Sequence, residues 1–263
     1  MTTESSTTTA GDEVLVRHDS RVAIITINRP HAKNAVTRAV SEGIAAALDD
    51  LDRRDDLSVG VLTGAGGCFC AGMDLKAFLR GERPSIEGRG FAGLTEAPPK
   101  KPLIAAVEGY ALAGGCEMVL ACDLVVAART ARFGVPEVRR GLVAAAGGLL
   151  RLPHRVPEQI AMELALTGDM VTAERGYEIG LVNRLTEDGG ALDGALALAA
   201  RIAANGPLAT LATKRVIREH GQWPEDERFA RQRLITEPVL SSADAKEGAA
   251  AFAEKRRPNW QGR

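Results

Sequence analysis

Two features near the middle of the chain could do chemistry together: a helix that begins on glycines, and a glutamate in its first turn. Gly114 and Gly115 open a helical run after a strand-like segment, and Glu117 comes three residues after Gly114. The first N–H groups of a helix have no partner within the helix, glycine lets a ligand approach them, and the helix dipole favours negative charge there. Because residues three apart lie on the same side of a helix, one negatively charged oxygen could face both an N–H donor and a carboxylate. We therefore predict an active site at the start of this helix.

A second carboxylate and a second glycine turn complete the predicted site. Glu137 follows Pro136 at the end of a short apolar loop. Gly72 lets the chain bend so that the N–H of Met73 points into a cavity. An alternative interpretation of this turn is a plain loop that ends with Asp74 as the N-cap of a short helix. Each glutamate taken alone would more often be a solvated surface residue, so the prediction depends on both turns and both carboxylates occurring together.

The elements that must position these groups are predicted from hydrophobic patterns. Strand patterns occur at residues 14–18, 22–27, 58–63, 103–107, 123–128 and 181–185. The first two are joined by a short polar turn at residues 19–21, which predicts a hairpin. Thr37 can cap a helix in which Ile44, Leu48 and Leu51 fall on one face. Further helix patterns follow late in the chain, at residues 158–166, 173–179, 191–204, 207–219, 225–240 and 243–252. This order predicts an α/β core with strands covered on both sides, followed by a C-terminal helical subdomain. Residues 81–101 show no periodicity, which predicts a long, mobile surface loop.

Composition excludes several classes of function. The chain has 263 residues, 45% of them hydrophobic, and a formal net charge of −1, so no excess of basic residues suggests binding to nucleic acid or to an anionic membrane. No run approaches the ~18 apolar residues that a membrane span needs. The cysteines, at positions 68, 70, 116 and 122, have no histidines at metal-ligand spacing. We therefore predict reduced, buried thiols, no metal site and a cytoplasmic location.

One glycine-rich segment suggests a dinucleotide-binding turn. Residues 64–67 follow a strand pattern and contain three glycines. The phosphate-binding motif would need glycine where Phe69 stands, and no helix begins directly after Gly67. We reject this interpretation.

Several short motifs occur in a characteristic order. They are NRP at 28–30 with NA at 34–35, FCAGMDL at 69–75, GYALAGGCE at 109–117, FGVPE at 133–137, GG at 147–148 with RLP at 151–153, and AFAEKR at 251–256. In this order and spacing the chain resembles the crotonase (enoyl-CoA hydratase/isomerase) superfamily over about residues 14–260. Each motif alone is weak, whereas the set is specific for the superfamily.

The resemblance implies an architecture. The fold would be a crotonase-like superhelix of repeated ββα turns, with two nearly perpendicular sheets and a C-terminal helical subdomain. Residues 13–200 would form the α/β core, and residues 201–263 would form a helical region that mediates trimerisation, with trimers often paired into hexamers. Residues 1–12 are rich in serine and threonine and are predicted to be a disordered tail.

The resemblance also implies a substrate and roles for individual residues. The substrate would be an acyl-CoA whose thioester oxygen lies between the N–H groups of Met73 and Gly114, and Glu117 and Glu137 occupy the positions of the two catalytic glutamates. The CoA-binding residues would be Lys33, Ala71, Asp74, Leu75 and Lys255. No cofactor is expected because coenzyme A is part of the substrate, and neither nucleic acid nor a membrane is expected as a partner.

The two glutamates favour one reaction and leave others open. Hydration of a 2-enoyl-CoA to a 3-hydroxyacyl-CoA needs one group to activate water and another to exchange a proton with Cα; by resemblance Glu137 is the donor at Cα. Double-bond isomerisation and carnitinyl-CoA-type dehydration use the same scaffold, and a non-catalytic acyl-CoA-binding module is a third alternative. Ala113 replaces the first of three family glycines, and Ala144 stands where many members have proline, which leaves the acyl-chain preference open.

Overall fold

The computed structural model describes residues 13–263. The strands are β1 (Val14–Asp19), β2 (Val22–Ile27), β3 (Val59–Gly64), β4 (Ser85–Ile86), β5 (Gly90–Phe91), β6 (Leu103–Val107), β7 (Tyr110–Leu112), β8 (Leu124–Ala128), β9 (Arg132–Gly134), β10 (Val171–Thr172) and β11 (Arg184–Thr186). The α-helices are α1 (Arg38–Arg53), α2 (Leu75–Leu79), α3 (Gly114–Ala121), α4 (Gly148–Arg151), α5 (Glu158–Thr167), α6 (Ala173–Glu178), α7 (Ala191–Ala203), α8 (Pro207–Glu219), α9 (Arg228–Leu240) and α10 (Ala243–Ala253). The tail predicted for residues 1–12 lies outside the described residues.

A six-stranded sheet in the order β1-β2-β3-β6-β8-β11 forms the centre of the molecule. β1 and β2 form the predicted antiparallel hairpin, and the remaining neighbours are parallel. Val61 and Leu62 on β3 point to opposite faces, and both are fully buried. Leu62 packs in the cluster that contains the apolar face of α1, whereas Val61 packs with Ala195 of α7. The prediction of an α/β core covered on both sides is confirmed.

Helix α1 follows from its local sequence. The Thr37 hydroxyl accepts a hydrogen bond from the N–H of Val40 at 3.2 Å, which caps the helix. Ile44, Leu48 and Leu51 recur at helical spacing and are all buried. The apolar stripe therefore faces the sheet, as the sequence predicts.

A second sheet has three strands in the order β10-β9-β7. Its strand β7 connects the two glycine turns of the predicted site, because it pairs with the first and leads directly into the second. β7 pairs in parallel with β9, and an isolated bridge joins Cys70 to Ala111 of β7. A second bridge joins Val36 to Met73. These pairings fix the turn around Gly72 on one side and the start of α3 on the other. The sequence did not reveal β7, because three residues are too few to show an alternation.

The predicted surface loop at residues 81–101 is wrong. β4 pairs with β5 in a small hairpin, and the residues that follow enter the core: Ala92 and Leu94 are fully buried. Positive φ angles at Gly90 and Gly93 let the chain fold back on itself. Apolar residues that are placed by tight turns need no helical or strand period, so pattern analysis missed them.

The C-terminal helices are attached to the core by ion pairs and by the end of the chain. Lys214 of α8 contacts the Asp123 carboxylate at 2.6 Å, and Arg218 contacts its other oxygen at 2.7 Å. The indole N–H of Trp260 donates to the carbonyl of Ala204 at 2.8 Å. Two predicted boundaries move by three residues: the strand predicted from residue 181 begins at residue 184, and the helix predicted from residue 225 begins at residue 228, after a 3₁₀ turn.

Among residues 13–263 no single helix has the length and apolar character of a membrane span. One pair, α7 with the segment Pro207–Gln222, meets those two criteria jointly but is bent by 109°.

Candidate active site

The carboxylate of Glu117 is buried and held by two backbone amides. It lies in the first turn of α3 and is 3% exposed. Its Oε1 accepts hydrogen bonds from the N–H groups of Ala146 at 2.8 Å and Gly148 at 2.9 Å. Gly147 between them has φ +92°, a conformation that glycine adopts readily, so both flanking amides can point at one oxygen. Within residues 13–263, Oε2 receives no hydrogen bond, which leaves it for a reacting group.

Glu137 lies close to Glu117. It is in the first turn of the 3₁₀ helix Pro136–Arg140, and it is half-buried. Its Oε2 is buried and has no hydrogen-bond partner among the described residues. Burial raises the pKa of Glu137, and the negative charge of Glu117 raises it further. Burial also raises the pKa of Glu117, opposed by the amides of Gly148 and Ala146 and by the charge of Arg151. Two interacting carboxyl groups in a poorly solvated site can hold and move a proton.

The turn before Met73 lies against the start of α3. A β-carbon placed on Gly72, whose φ is +101°, would lie 3.4 Å from the amide nitrogen of Gly114. Neither the N–H of Met73 nor that of Gly114 donates a hydrogen bond within the part of the chain that the structure describes. The structure thus brings two unpaired amide donors near one another, and one of them, that of Gly114, begins the helix that carries Glu117. Such a pair can stabilise negative charge on an oxygen.

Three neighbours of the site were not identified from sequence. The amides of Ala146 and Gly148 bind Glu117. In the sequence the glycines at residues 147–148 indicate the family but not this contact. The ring of Phe91 lies against Gly114, since a β-carbon on that glycine would be 2.5 Å from Cζ of the ring. Phe91 belongs to the segment that sequence patterns assigned to a surface loop. The glycine pairs at residues 114–115 and 147–148 could have indicated these contacts, because adjacent glycines often mark a place where another group approaches the backbone closely.

Lys33 and Ala71, two of the predicted CoA-binding residues, lie next to each other, and Leu75 follows four residues after Ala71 in the chain. The carbonyl of Lys33 accepts a hydrogen bond from the N–H of Ala71 at 3.0 Å, and the Lys33 ammonium lies 5.3 Å from the centre of the Tyr110 ring. Leu75 is 52% exposed at the start of α2. A cation, an aromatic ring and an exposed leucine suit an anionic ligand that has an apolar part.

The carboxylate of Asp74 is used within the protein. Its Oδ1 accepts a hydrogen bond from the N–H of Ala77 at 3.0 Å, which caps α2, and its Oδ2 pairs with Arg29 at 3.0 Å. The N-cap at Asp74 is therefore confirmed, and it occurs together with an N–H of Met73 that has no acceptor among the described residues. The N–H of Ala77 and the guanidinium of Arg29 lower the pKa of this carboxyl.

Lys255 belongs to the C-terminal helical region. It follows α10, is exposed, and its N–H donates to the carbonyl of Phe252 at 3.2 Å. No hydrogen bond or ring contact among the described residues joins Lys255 to Lys33, Ala71 or Leu75.

The residues from 13 to 263 contain no group of three or more His, Cys, Asp or Glu side chains that could hold a metal ion. All four cysteines are free, and only Cys68 is partly exposed.

Comparison with known proteins shows the family of this chain. A family model described as enoyl-CoA hydratase/isomerase matches residues 17–263. The enoyl-CoA hydratase EchA19 of Mycobacterium tuberculosis is 42% identical, covering 98% of this chain and all of that protein. A carnitinyl-CoA dehydratase of Salmonella enteritidis is 43% identical over 91% of this chain and 94% of its own length. A crystal structure of an enoyl-CoA hydratase from M. tuberculosis H37Rv superposes with a TM-score of 0.95 at 65% identity, covering 96% of this chain and all of that one. The chain therefore belongs to the enoyl-CoA hydratase/isomerase family.

Proposed function

We propose that this protein is an enoyl-CoA hydratase, which adds water reversibly to a 2-enoyl-CoA to give a 3-hydroxyacyl-CoA. One observation carries the proposal: the buried carboxylate of Glu117 and the buried Oε2 of the half-buried Glu137 lie in the same site as two amides that have no acceptor in the described chain. Two carboxyl groups can supply both proton transfers of the hydration, and the amides can supply the oxyanion site.

The amides of Met73 and Gly114 are proposed to hold the thioester oxygen. Attack at Cβ moves electron density onto that oxygen and forms an enolate. Donors that are already oriented in a site shielded from water stabilise such charge, and loss of a single donor of this kind costs about 2.7–4 kcal/mol. The start of α3 adds the positive end of its dipole at the same place.

The two glutamates are proposed to divide the proton transfers. Glu117 is held by two amides at one oxygen, so its other oxygen is oriented to hold the water and remove its proton. Glu137 is proposed to deliver the proton to Cα, and burial, which raises its pKa, helps it to carry one. In the reverse direction the same groups exchange roles, which gives dehydration of a 3-hydroxyacyl-CoA. The named similarity to carnitinyl-CoA dehydratases supports this direction as a second candidate.

The nucleotide part of the substrate is proposed to lie near Lys33, Ala71 and Leu75. The exposed ammonium and the aromatic ring beside it are suited to phosphates and to a planar base. Asp74 is proposed to act only by shaping this region, because its carboxylate is already paired. Lys255 is proposed, as the family resemblance implies, to reach the nucleotide phosphates. We propose that coenzyme A arrives with the substrate and that no other cofactor takes part.

A homotrimer or a dimer of trimers is proposed as the assembly, with residues 201–263 as the trimerisation region. Large apolar side chains are exposed on the last three helices: Ile217, Phe229, Leu234, Leu240 and Phe252. Exposed apolar surface of this extent commonly marks a protein interface. Light scattering should give the mass of three or six chains. The free thiols support the cytoplasm as the proposed location.

Incubation of the purified protein with crotonyl-CoA tests the function. Loss of the enoyl absorbance together with a mass gain of one water is the expected result. Turnover without a change in mass would indicate isomerisation instead. Tight binding of acyl-CoA without turnover of any enoyl-CoA would contradict catalysis and support a binding module. A series of enoyl-CoA chain lengths, with a carnitinyl-CoA substrate included, then defines the acyl group.

A further inference from the structure

We propose that Arg151 is a positioning residue for Glu117: its guanidinium fixes the loop whose amides bind the Glu117 carboxylate, and it places a positive charge beside that loop. The proposal rests on the proposed function, because it gives Glu117 the role of the group that deprotonates water. Arg151 itself is not proposed to touch the substrate.

Arg151 joins the two segments that surround Glu117. Its guanidinium donates to the carbonyl of Thr95. The same guanidinium packs on the backbone of Gly147, where any β-carbon would overlap Nη1. Gly147 lies between the two amides that bind Oε1 of Glu117. Arg151 therefore clamps the loop of amide donors onto the turn that follows β5.

This clamp reaches the other side of the site as well. The N–H of Thr95 donates to the carbonyl of Phe91 at 3.2 Å, and the ring of Phe91 lies against Gly114. Thr95 is 1% exposed and its hydroxyl has no partner among the described residues, so the Arg151 guanidinium binds this buried residue through its carbonyl. The guanidinium thus connects the Glu117 loop with the wall behind the proposed oxyanion donor.

The charges around Glu117 come from several elements. Arg151 on α4 is the cation that favours the carboxylate form, and Arg218 on α8 faces Arg151 in turn. The neighbouring Glu137 interacts with Glu117 as a like charge, and the thiol of Cys116 lies near both carboxyl groups. Burial raises the pKa of Glu117, whereas the two amides and Arg151 lower it. Removal of the arginine charge therefore leaves burial opposed by the amides alone.

Two substitutions separate the charge from the clamp. Arg151→Met keeps a long side chain but removes both the charge and the hydrogen bonds. Arg151→Lys keeps the charge but loses the planar guanidinium with its several donors. Removing an opposite charge from the vicinity of a carboxyl raises its pKa, so the acid limb of the pH profile of kcat/KM should move up by about one unit in R151M. In R151K this limb should stay near the parental position while kcat falls, because the loop is held less firmly.

Arg155→Met is the matched control. Arg155 lies four residues further on, is also partly buried, and donates to the carbonyls of Leu120, Cys122 and Asp123 at the far end of α3. Its loss should lower the melting temperature without moving the acid limb. If R155M and R151M move the limb equally, the effect is a general consequence of destabilisation and the proposal is wrong.

A second measurement does not depend on turnover. The pKa of the Glu117 carboxyl is read by NMR from isotope-labelled glutamate side chains, with Glu117→Gln used to assign the signal. The expected result is a higher pKa in R151M than in the parent, with R151K close to the parent. An unchanged Glu117 titration in folded R151M would overturn the proposal even if hydration is observed. Absence of hydration in the parent would contradict the proposed function, while the titration would still decide whether Arg151 holds Glu117 ionised.

Discussion

Gly148 lies directly against the side chain of Glu117. Its amide nitrogen is 2.9 Å from Oε1, and a β-carbon placed on Gly148 would lie 2.9 Å from Cγ and 3.0 Å from Oε1 of that glutamate. The same residue therefore provides a hydrogen bond and leaves the space in which the carboxylate sits. No larger residue can do both without a shift of the glutamate.

This contact predicts the effect of Gly148→Ala. The added methyl group should displace the Glu117 carboxylate by a few tenths of an ångström or more, and misplacement of a catalytic group by ~1 Å can lower the rate by about 10²-fold. We expect kcat for an enoyl-CoA to fall by about one to two orders of magnitude while the substrate Kd changes little. Gly221→Ala is the control, because nothing lies within 4 Å of a β-carbon there. Equal kcat values for the two variants would contradict the assigned role of Gly148.

Neutral substitution of the glutamates tests their division of labour. Glu117→Gln and Glu137→Gln should each lower kcat by about 10²–10⁴-fold, the usual contribution of a general acid or base. Binding of a saturated acyl-CoA, measured by calorimetry, should stay within a few-fold of the parent because neither carboxyl is proposed to hold the nucleotide. A variant with near-parental turnover would remove that glutamate from the mechanism.

The raised pKa values predict how activity depends on pH. Burial raises the pKa of both carboxyls above the ordinary glutamate value of 4.5. The two groups titrate as a pair, so the acid limb of kcat/KM should lie above this value and should report the pair rather than one residue. An acid limb at or below the ordinary value would mean that the ionising group is solvated and is not this pair.

The same shift predicts the pH dependence of stability. A group whose pKa is higher in the folded state contributes stability below its unfolded pKa, and this contribution is lost as the pH rises through the folded pKa. Glu137→Gln should therefore gain stability relative to the parent as the pH is raised above 4.5. Denaturant unfolding at fixed protein concentration measures the difference. A difference that is independent of pH would contradict the buried position of this carboxyl.

Phe91 and Gly114 should be coupled energetically. Gly114→Ala would place a methyl group 2.5 Å from Cζ and 2.6 Å from Cε1 of the Phe91 ring. Overpacking of this kind costs about 1–3 kcal/mol, and Phe91→Ala alone should cost about 3–5 kcal/mol. In the double variant the clash disappears. Its loss of unfolding free energy should therefore be smaller, by about 0.5–3 kcal/mol, than the sum of the losses in the two single variants. Simple additivity of the unfolding free energies would show that the ring does not pack on this glycine.

Asp74 should contribute to stability through its cap and its ion pair. Asp74→Ala removes the N-cap of α2, worth about 1 kcal/mol, and also leaves Arg29 without one of its partners. Asp74→Asn keeps a capping oxygen and should cost less. Because the pKa of Asp74 is lowered in the folded state, its contribution is present above the unfolded pKa and is lost as the pH falls through the folded pKa. The exposed Asp56→Asn is the control, and an equal cost for D56N and D74A would contradict the prediction.

Local sequence determined the elements and the family. The cap at Thr37 and the apolar spacing through Leu51 predict α1, and the glycines before Glu117 predict a helix with open amides. These features involve residues within a few positions of one another, where backbone preference and burial period act directly. The ordered motifs added the family, since their spacing reflects one arrangement of strands and turns.

Tertiary structure alone decided which groups meet. Glu117 is bound by amides 29 and 31 residues away, and Asp74 pairs with an arginine 45 residues away. Phe91 reaches Gly114 from a segment that has no period at all. Such contacts depend on how non-periodic turns pack against the sheets. A local sequence pattern indicates the conformation of each turn, but it does not indicate which distant residue will pack against that turn.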